Sequence, residues 1–335
     1  MQLKDQSSGR RKAAPALQTR SPVKSSETPI RATVQPSAKS DSCVAFLNIA
    51  SGAGKSQITR LHVKSALEAA GLACRIEEIL PGQDPAQLAR QAIEQGASLV
   101  IAAGGDGTVS SIAAAVAGTH VALGVLPLGT LNHFARDLKI PEALDLAIEV
   151  IRQGRTRQID AAEVNGRIFI NNSCLGLYPH LVRQRQQRQR LGWSKWAAFF
   201  WASLAVFRRY PSVTVRIQTS EGPELVRETP LAFIGNNIYS TGSADLGRRA
   251  RLDEGTLCLF LAHHRGRLGL LRLACSALLG RLDRDGALDC RRAREIHIET
   301  HRPSALMACD GETSELATPL HYRILPGALR VLAPE

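Results

Sequence analysis

The sequence predicts an α/β domain with a parallel sheet, followed by an antiparallel β-sandwich domain. Residues 43–157 alternate short apolar runs with segments of helical periodicity, which indicates a parallel sheet covered by helices. Residues 158–335 instead carry β-branched, alternating runs separated by Gly, Pro and Asn turns. Strands are predicted there over 158–163, 167–172, 212–219, 230–235, 256–261, 295–300 and 321–325. A chain of 335 residues with 44% hydrophobic content is long enough to build both cores.

The first 42 residues differ from both domains. They are rich in Ser, Pro, Gln, Thr, Lys and Arg and show no hydrophobic periodicity, so residues 1–42 are predicted to form a disordered basic tail. A transit peptide for an organelle has a similar composition, and that alternative stays open.

The elements of the α/β domain follow from apolar runs and from helical periods that end at glycine. Strands are predicted over 43–49, 73–79, 99–103 and 121–126. Helices are predicted over 56–70 and 84–95, and from Thr108, Leu131 and Pro141 onwards. Because the loops after parallel strands lie along one edge of the sheet, the loops after the first, third and fourth strands should converge.

Two glycine-containing turns stand where these strands end. The sequences GGDGT (104–108) and PLGTLN (127–132) each follow an apolar run and open a predicted helix. Glycine lets phosphate oxygens approach the backbone, and the N-terminus of a helix favours an anion. Asp106 would repel phosphates and is therefore expected to hold Mg²⁺ or a bound water. A tight turn with an Asp cap is the alternative. The candidate nucleotide-binding residues are Gly104, Gly105, Asp106, Gly107, Thr108, Gly129, Thr130 and Asn132.

The loop after the first strand ends in Gly54-Lys55-Ser56, like the P-loop of many nucleoside triphosphatases. That loop also needs a glycine five positions before Gly54, and Ile49 stands there. The match to the P-loop therefore fails.

The pair GGDGT and PLGTLNHFAR resembles the catalytic domain shared by diacylglycerol, sphingosine and ceramide kinases and related bacterial lipid kinases. NAD kinases and phosphofructokinases carry turns similar to GGDGT. The PLGTLNHFAR turn is the feature that restricts the resemblance to the lipid kinases. The resemblance spans about residues 43–330. It implies that the first domain is NAD kinase/phosphofructokinase-like and that the last strands of the sandwich return to this domain. It also implies ATP and Mg²⁺ as cofactors. Its early Asn-Pro-x-Ser-Gly turn matches this chain weakly, at Asn48, Ser51 and Gly52.

The resemblance also assigns acidic residues in the second half. Asp310-Gly311-Glu312 matches the family's Asp-Gly-Glu turn, which implies that Glu312 or Asp310 takes the proton from the lipid hydroxyl; an ordinary surface turn is the alternative. Residues 252–257 resemble a stretch near which some members bind a structural Mg²⁺, although Glu254 stands where the family has Asp. The candidate metal ligands there are Asp253, Glu254 and Thr256.

Residues 183–209 carry seven Lys/Arg and no acidic residue. Within them Trp193, Trp196 and Phe200 share a predicted helix face. That helix either packs in the core or lies on anionic lipid as a peripheral anchor. We expect a lipid substrate and an anionic membrane surface as partners and no nucleic acid, and leave a homodimer open.

Other features bound the cellular setting. The longest apolar stretch, 196–207, is too short to span a bilayer, and no secretory signal opens the chain. The seven cysteines are odd in number and scattered, which favours a reducing, cytoplasmic compartment and argues against a zinc site. The histidines show no ligand spacing and are interpreted as structural.

The leading hypothesis is an ATP-dependent lipid kinase acting on a hydroxyl of diacylglycerol or a related lipid. An NAD kinase-like enzyme is the second reading. A catalytically inert lipid-binding or regulatory protein is the third, because Ser111 replaces the Glu usual after GGDGT in the family.

Overall fold

The structure is a computed structural model. It describes residues 42–48, 60–190, 212–220, 222–240, 247–262 and 288–335, with the separate residues 201, 204, 205, 208, 266, 268, 269, 272 and 276. The predicted basic tail, the candidate residues Ser51 and Gly52, and most of the predicted aromatic face lie outside the described residues.

The first half of the chain forms a parallel sheet with connecting helices. Its strands are β1 (Cys43–Leu47), β2 (Arg75–Glu78), β3 (Leu99–Gly104) and β4 (Ala122–Pro127), in the order β2-β1-β3-β4. Its helices are α1 (Arg60–Ala69), α2 (Pro85–Glu94), α3 (Asp106–Val116), α4 (His133–Asp137) and α5 (Leu144–Arg152). Every residue of β1, β3 and β4 is buried, because both faces of the sheet are covered.

Cys43 and Cys74 are joined by a disulfide. Cys43 begins β1 and Cys74 immediately precedes β2, and these strands pair side by side. The scattered spacing of the cysteines did not predict this bond, because strand pairing brings together residues 31 positions apart.

The second half is rich in antiparallel strands. They are β5 (Thr156–Val164), β6 (Arg167–Phe169), β7 (Asn172–Gly176), β8 (Val213–Thr219), β9 (Gly222–Thr229), β10 (Leu231–Asn236), β11 (Leu257–Ala262), β12 (Leu288–Ala293), β13 (Glu295–Thr300), β14 (Ser304–Cys309), β15 (Glu312–Ala317) and β16 (Leu320–Leu332). One sheet of six strands has the order β12-β11-β10-β7-β14-β15, and the helix α6 (Leu177–Arg190) follows β7. Buried side chains of both sheets pack into a second core, and the predicted fold class is confirmed.

The last strand connects the two halves. β16 pairs with β5 and β13 in antiparallel fashion, and its residues Arg330 and Val331 pair in parallel with β4. The strands β2-β1-β3-β4-β16-β13-β8-β9 thus form one continuous path in a ten-stranded sheet. The glycine-containing turns after β3 and β4 are therefore fixed relative to the sandwich.

Several boundaries differ from the prediction. α3 begins at Asp106, two residues earlier than expected, and α4 begins at His133. The predicted strand 167–172 is divided into β6 and β7. β9, β12, β14 and β15 were not predicted, and the polar residues of β9, β12 and β15 explain three of these four differences. Across the described residues, we find no helix that is long and apolar enough to cross a membrane.

Candidate active site

The two glycine-containing turns lie directly against each other. The Leu128 amide donates a hydrogen bond to the Gly104 carbonyl at 3.0 Å. A Cβ atom on Gly129 would stand 2.6 Å from the Cα of Gly105, so only glycine allows this approach. The backbone of both turns therefore forms one surface at the ends of β3 and β4.

Asn132 fixes the shape of the second turn. Its backbone is left-handed, with φ of 50°, a conformation that asparagine tolerates better than most residues. The buried side chain accepts a hydrogen bond from the Gly129 amide at 3.0 Å and donates one to the Gly129 carbonyl at 3.1 Å. Thr130 remains exposed at the tip of the turn. Asn132 is thus a positioning residue for the turn.

The first turn leads into α3 without a side-chain cap. Gly105 is the N-cap, so the amides at the start of the helix face the turn. The Thr108 side chain fills the space beside Gly104, and Asn48 Nδ2 donates a hydrogen bond to Thr108 Oγ1 at 3.0 Å. The structure therefore brings Asn48 to the GGDGT turn.

Asp106 lies half-buried at the start of α3. Its Oδ1 atom accepts a long hydrogen bond, 3.5 Å, from the Phe134 amide of α4. This contact is weak, so the carboxylate remains available to a ligand. Asp106, a residue of the first turn, thus contacts the helix that follows the second turn.

The acidic turn of the sandwich faces the first glycine turn across a cleft. Gly107, Ser111 and Glu312 line one cavity of about 440 Å³. The same three residues, with Asp310 and Arg167, line a neighbouring cavity of similar size. Residues 107 and 312, from the two halves of the chain, therefore meet at one site.

Asp310 is held by backbone donors. The amides of Ile170, Asn171 and Asn172 donate hydrogen bonds to its carboxylate at 2.9 to 3.0 Å. Burial raises the pKa of the Asp310 carboxyl above its ordinary value, against the opposing effect of these three donors. Glu312 differs, because its side chain is 57% exposed and pairs with Arg167 at 3.2 Å. The two predicted bases thus occupy different electrostatic environments.

A buried arginine that sequence reasoning missed supports this arrangement. Arg249 Nε donates to Asp137 Oδ2 at 2.7 Å, and Asp137 ends α4. The same guanidinium donates to the Ile170 carbonyl at 2.6 Å and to Asn171 Oδ1 at 2.7 Å. Arg249 therefore joins α4 to the segment that holds Asp310. The run GRRAR (247–251) contains it, but nothing local distinguishes the buried arginine from its neighbours.

The three predicted ligands of a structural metal are each engaged elsewhere. Asp253 Oδ1 accepts a hydrogen bond from Arg251 Nε at 3.0 Å. Glu254 Oε2 accepts from the Ile238 amide at 3.1 Å, and the Thr256 hydroxyl lies near backbone carbonyls. Among the described residues, the group of His, Cys, Asp or Glu side chains whose donor atoms converge does not include Asp253 or Glu254.

Asp160, which sequence reasoning also missed, orders the loop that contains those three residues. Its carboxylate accepts hydrogen bonds from the Gly255 amide at 2.7 Å and the Gly327 amide at 2.9 Å. The loop is thereby fixed to β16 by a carboxylate and two amides of the chain itself.

The described part of the basic segment is helical. α6 carries Arg183, Arg185 and Arg188, and the guanidinium carbon of Arg188 lies 5.7 Å from the ring centre of Trp201. The remainder of the predicted lipid-facing surface lies outside the described residues.

An α/β half with glycine turns, joined to an antiparallel β-sandwich, is the architecture of the NAD kinase-like fold class. Residues 42–164 match the family model of the diacylglycerol kinase catalytic domain. Residues 178–333 match that of the YegS C-terminal NAD kinase beta sandwich-like domain. The chain belongs to the family of diacylglycerol kinases and YegS-like lipid kinases, as the resemblance predicted.

Relatives agree with this assignment. A diacylglycerol kinase of Mycobacterium tuberculosis is 29% identical over 269 residues, which cover 77% of this chain and 85% of the relative. A Cronobacter sakazakii protein named probable lipid kinase YegS-like is 42% identical over 110 residues. That second match covers 31% of this chain and only 37% of the relative.

Solved structures show the same fold. A diacylglycerol kinase from Bacillus anthracis superposes with a TM-score of 0.61 at 20% identity, covering 88% of this chain and 97% of that one. An NAD kinase from Archaeoglobus fulgidus, solved in complex with ATP, gives 0.51 at 12% identity, covering 88% and 94%.

Proposed function

We propose that the protein is an ATP-dependent lipid kinase, which transfers the γ-phosphoryl group of ATP to a hydroxyl of diacylglycerol or a related lipid. The observation that carries the proposal is the shared cavity of Gly107 and Glu312. It sets a backbone suited to phosphates against an acidic turn that could receive a proton.

The glycine turns would bind the phosphates of ATP. A Cβ atom on Gly107 would meet no atom within 4 Å, so the space above this residue is open to a ligand. The start of α3 has no side-chain hydrogen bond at its N-cap, and it presents the positive end of the helix dipole. Asn132 and Asn48 support this binding by fixing the two turns.

Asp106 is the residue that would hold Mg²⁺. It fits this role because its half-buried carboxylate lies at the phosphate turn and has only a weak contact with Phe134. Mg²⁺ bound there would neutralise charge on the phosphates. A structural metal at Asp253, Glu254 and Thr256 stays a separate proposal, and these residues make hydrogen bonds within the chain.

Asp310 is our proposed general base. Burial raises the pKa of the Asp310 carboxyl towards the working pH. A base with a pKa nearer that pH is better suited to proton transfer. The lipid hydroxyl oxygen would form a bond to the γ-phosphorus, its proton would pass to Asp310, and ADP would leave. Glu312 would orient Arg167, whose guanidinium lines the same cavity and would stabilise negative charge on the transferring group.

The lipid would be reached from a membrane surface. The arginines of α6 supply positive charge, and each Lys or Arg near an anionic leaflet contributes about 1 kcal/mol. We propose reversible, peripheral association on this ground.

The function is tested by incubating the protein with labelled ATP, extracted lipid and NAD. Labelled lipid supports the lipid kinase. Labelled NADP supports the second candidate function, an NAD kinase. The similarity in fold to an NAD kinase solved with ATP favours this candidate. Labelling of neither supports a catalytically inert lipid-binding protein.

The base is tested by comparing Asp310→Asn with Glu312→Gln. A positioned general base contributes about 10² to 10⁴ in rate, so Asp310→Asn should lower kcat by at least the smaller factor. Glu312→Gln keeps a neutral partner for Arg167 and should lower kcat less. The opposite order would assign the base to Glu312, and full activity of both variants would place it elsewhere. Thermal unfolding of Asp310→Asn checks that the 170–172 segment stays folded.

A further inference from the structure

Two histidines lie side by side on the outer face of the ten-stranded sheet. His297 of β13 and His321 of β16 are directly opposite each other in the antiparallel register. Their neighbours Ile296 and Tyr322 are fully buried in the sandwich core, so strand alternation places both histidines on the opposite face. The imidazole rings stack with centroids 4.1 Å apart and an angle of 10° between their planes.

Glu295 completes a group of three side chains that can ligate a metal. One donor atom from each of Glu295, His297 and His321 lies within 4.8 Å of the other two. Glu295 Oε2 and His321 Nε2 are 3.6 Å apart, which is too long for a hydrogen bond. The His321 side chain is 42% exposed, but its Nε2 atom is itself buried and has no hydrogen-bond partner within the described part of the chain. A buried polar atom without a partner requires an explanation, and a bound ion supplies one.

We propose that Glu295, His297 and His321 form a binding site for a divalent transition-metal ion of the Zn²⁺ type. Two imidazole nitrogens and one carboxylate oxygen suit Zn²⁺, Ni²⁺ or Cu²⁺, whereas Mg²⁺ and Ca²⁺ prefer oxygen ligands alone. Tetrahedral zinc bonds of about 2.0 to 2.1 Å place donor atoms about 3.3 Å apart. Small rotations of these surface side chains would close the remaining distance.

The surroundings are compatible with a cation. Arg323 lies on the same face, but its Nε atom donates to Glu163 at 2.6 Å, so its charge is already paired. The His321 amide donates to Asn165 Oδ1 at 2.8 Å, which fixes this position of β16 to the turn after β5. A bound metal would therefore connect β13 to β16 and stabilise the sheet. None of the three proposed ligands lines either cavity of the kinase site, so this metal is separate from Mg²⁺ at Asp106.

The test is titration of the full chain with Zn²⁺, followed by calorimetry and by the thermal midpoint of unfolding. Loss of an outer-shell partner of a metal ligand costs about 10- to 100-fold in affinity, so loss of a ligand should cost at least that. We expect His297→Ala and His321→Ala each to weaken Zn²⁺ binding by about tenfold or more. The double variant should lose the zinc-dependent rise in thermal midpoint. The matched control is His120→Ala, an exposed histidine of the α/β half, which should bind like the wild type.

A second readout uses pH. Protons compete with a metal ion for its ligands, so Zn²⁺ affinity should fall as the solution is acidified. The proposal is overturned if the double histidine variant binds Zn²⁺ as tightly as the wild type, or if the wild type gains no thermal stability from Zn²⁺. Neither readout depends on kinase activity.

Discussion

Replacing Arg249 with methionine tests the connection between the two halves of the site. The Arg249 side chain is fully buried, and that of its partner Asp137 is only 7% exposed. Methionine keeps much of the apolar length but removes every hydrogen bond from the guanidinium. The Asp137 carboxylate would then be buried without its cationic partner, and Asn171 Oδ1 would lose its 2.7 Å donor.

The magnitude follows from this geometry. Removing one partner of a buried ion pair costs roughly 3 to 5 kcal/mol, because the remaining charge is left uncompensated. We therefore expect Arg249→Met to lower the free energy of unfolding by about 3 to 5 kcal/mol. Since Arg249 also bonds the segment that holds Asp310, kcat should fall even at temperatures where the variant is folded.

Urea unfolding followed by circular dichroism measures the loss. The matched control is Arg251→Met, since Arg251 is 63% exposed and its pair with Asp253 is a surface one. Such pairs contribute about 0 to 1 kcal/mol. Adding Asp137→Asn to Arg249→Met should cost less than the two single losses combined, because the lone charge is removed. A loss below about 1 kcal/mol for Arg249→Met would refute the reasoning.

Three further predictions concern the turns, the base and the membrane. Gly129→Ala should lower the free energy of unfolding by about 1 to 3 kcal/mol, because its Cβ would stand 2.6 Å from the Gly105 Cα. The control Gly107→Ala should not lower it, because the space at that Cβ is open. Equal urea unfolding curves for the two variants would contradict the close approach of the turns. The raised pKa of Asp310 means that the folded chain binds an extra proton between the ordinary and the raised value, so the free energy of unfolding should fall as pH rises through that window. Asp310→Asn should abolish that slope in urea titrations at several pH values, and an unchanged slope would assign it to another group. Binding of the protein to anionic vesicles should weaken as salt is added and when four arginines are replaced by Gln, while activity on a short-chain soluble lipid persists. If the fourfold variant sediments with vesicles as the wild type does, the interfacial role is excluded. Those four are Arg183, Arg185, Arg188 and Arg190.

The parts of the fold that the sequence predicted are those with a local signal. β1, β3 and β4 are buried on both faces, so each appears as an uninterrupted apolar run. The GGDGT and PLGTLN turns could be found in the sequence because close backbone contacts require glycine there. The contact between Gly129 and Gly105 is an example.

The parts that escaped prediction depend on contacts between distant residues. β9 and β15 carry polar residues at exposed positions, so their intrinsic strand propensity is low. Their pairing with β8 and β14 stabilises them as strands. Arg249 and Asp137 are 112 residues apart, and His297 meets His321 only through the register of β13 and β16. No periodicity or spacing in the sequence could indicate such pairs.

The central claim is tested most directly by phosphoryl transfer from γ-labelled ATP to extracted lipid, with the product identified by mass. The account predicts labelled lipid from the wild-type protein. It predicts almost none from Asp106→Asn, whose thermal midpoint should stay nearly unchanged because Asp106 makes only one weak contact within the described structure. Wild-type protein that labels no lipid, or an Asp106→Asn variant with full activity, would contradict it.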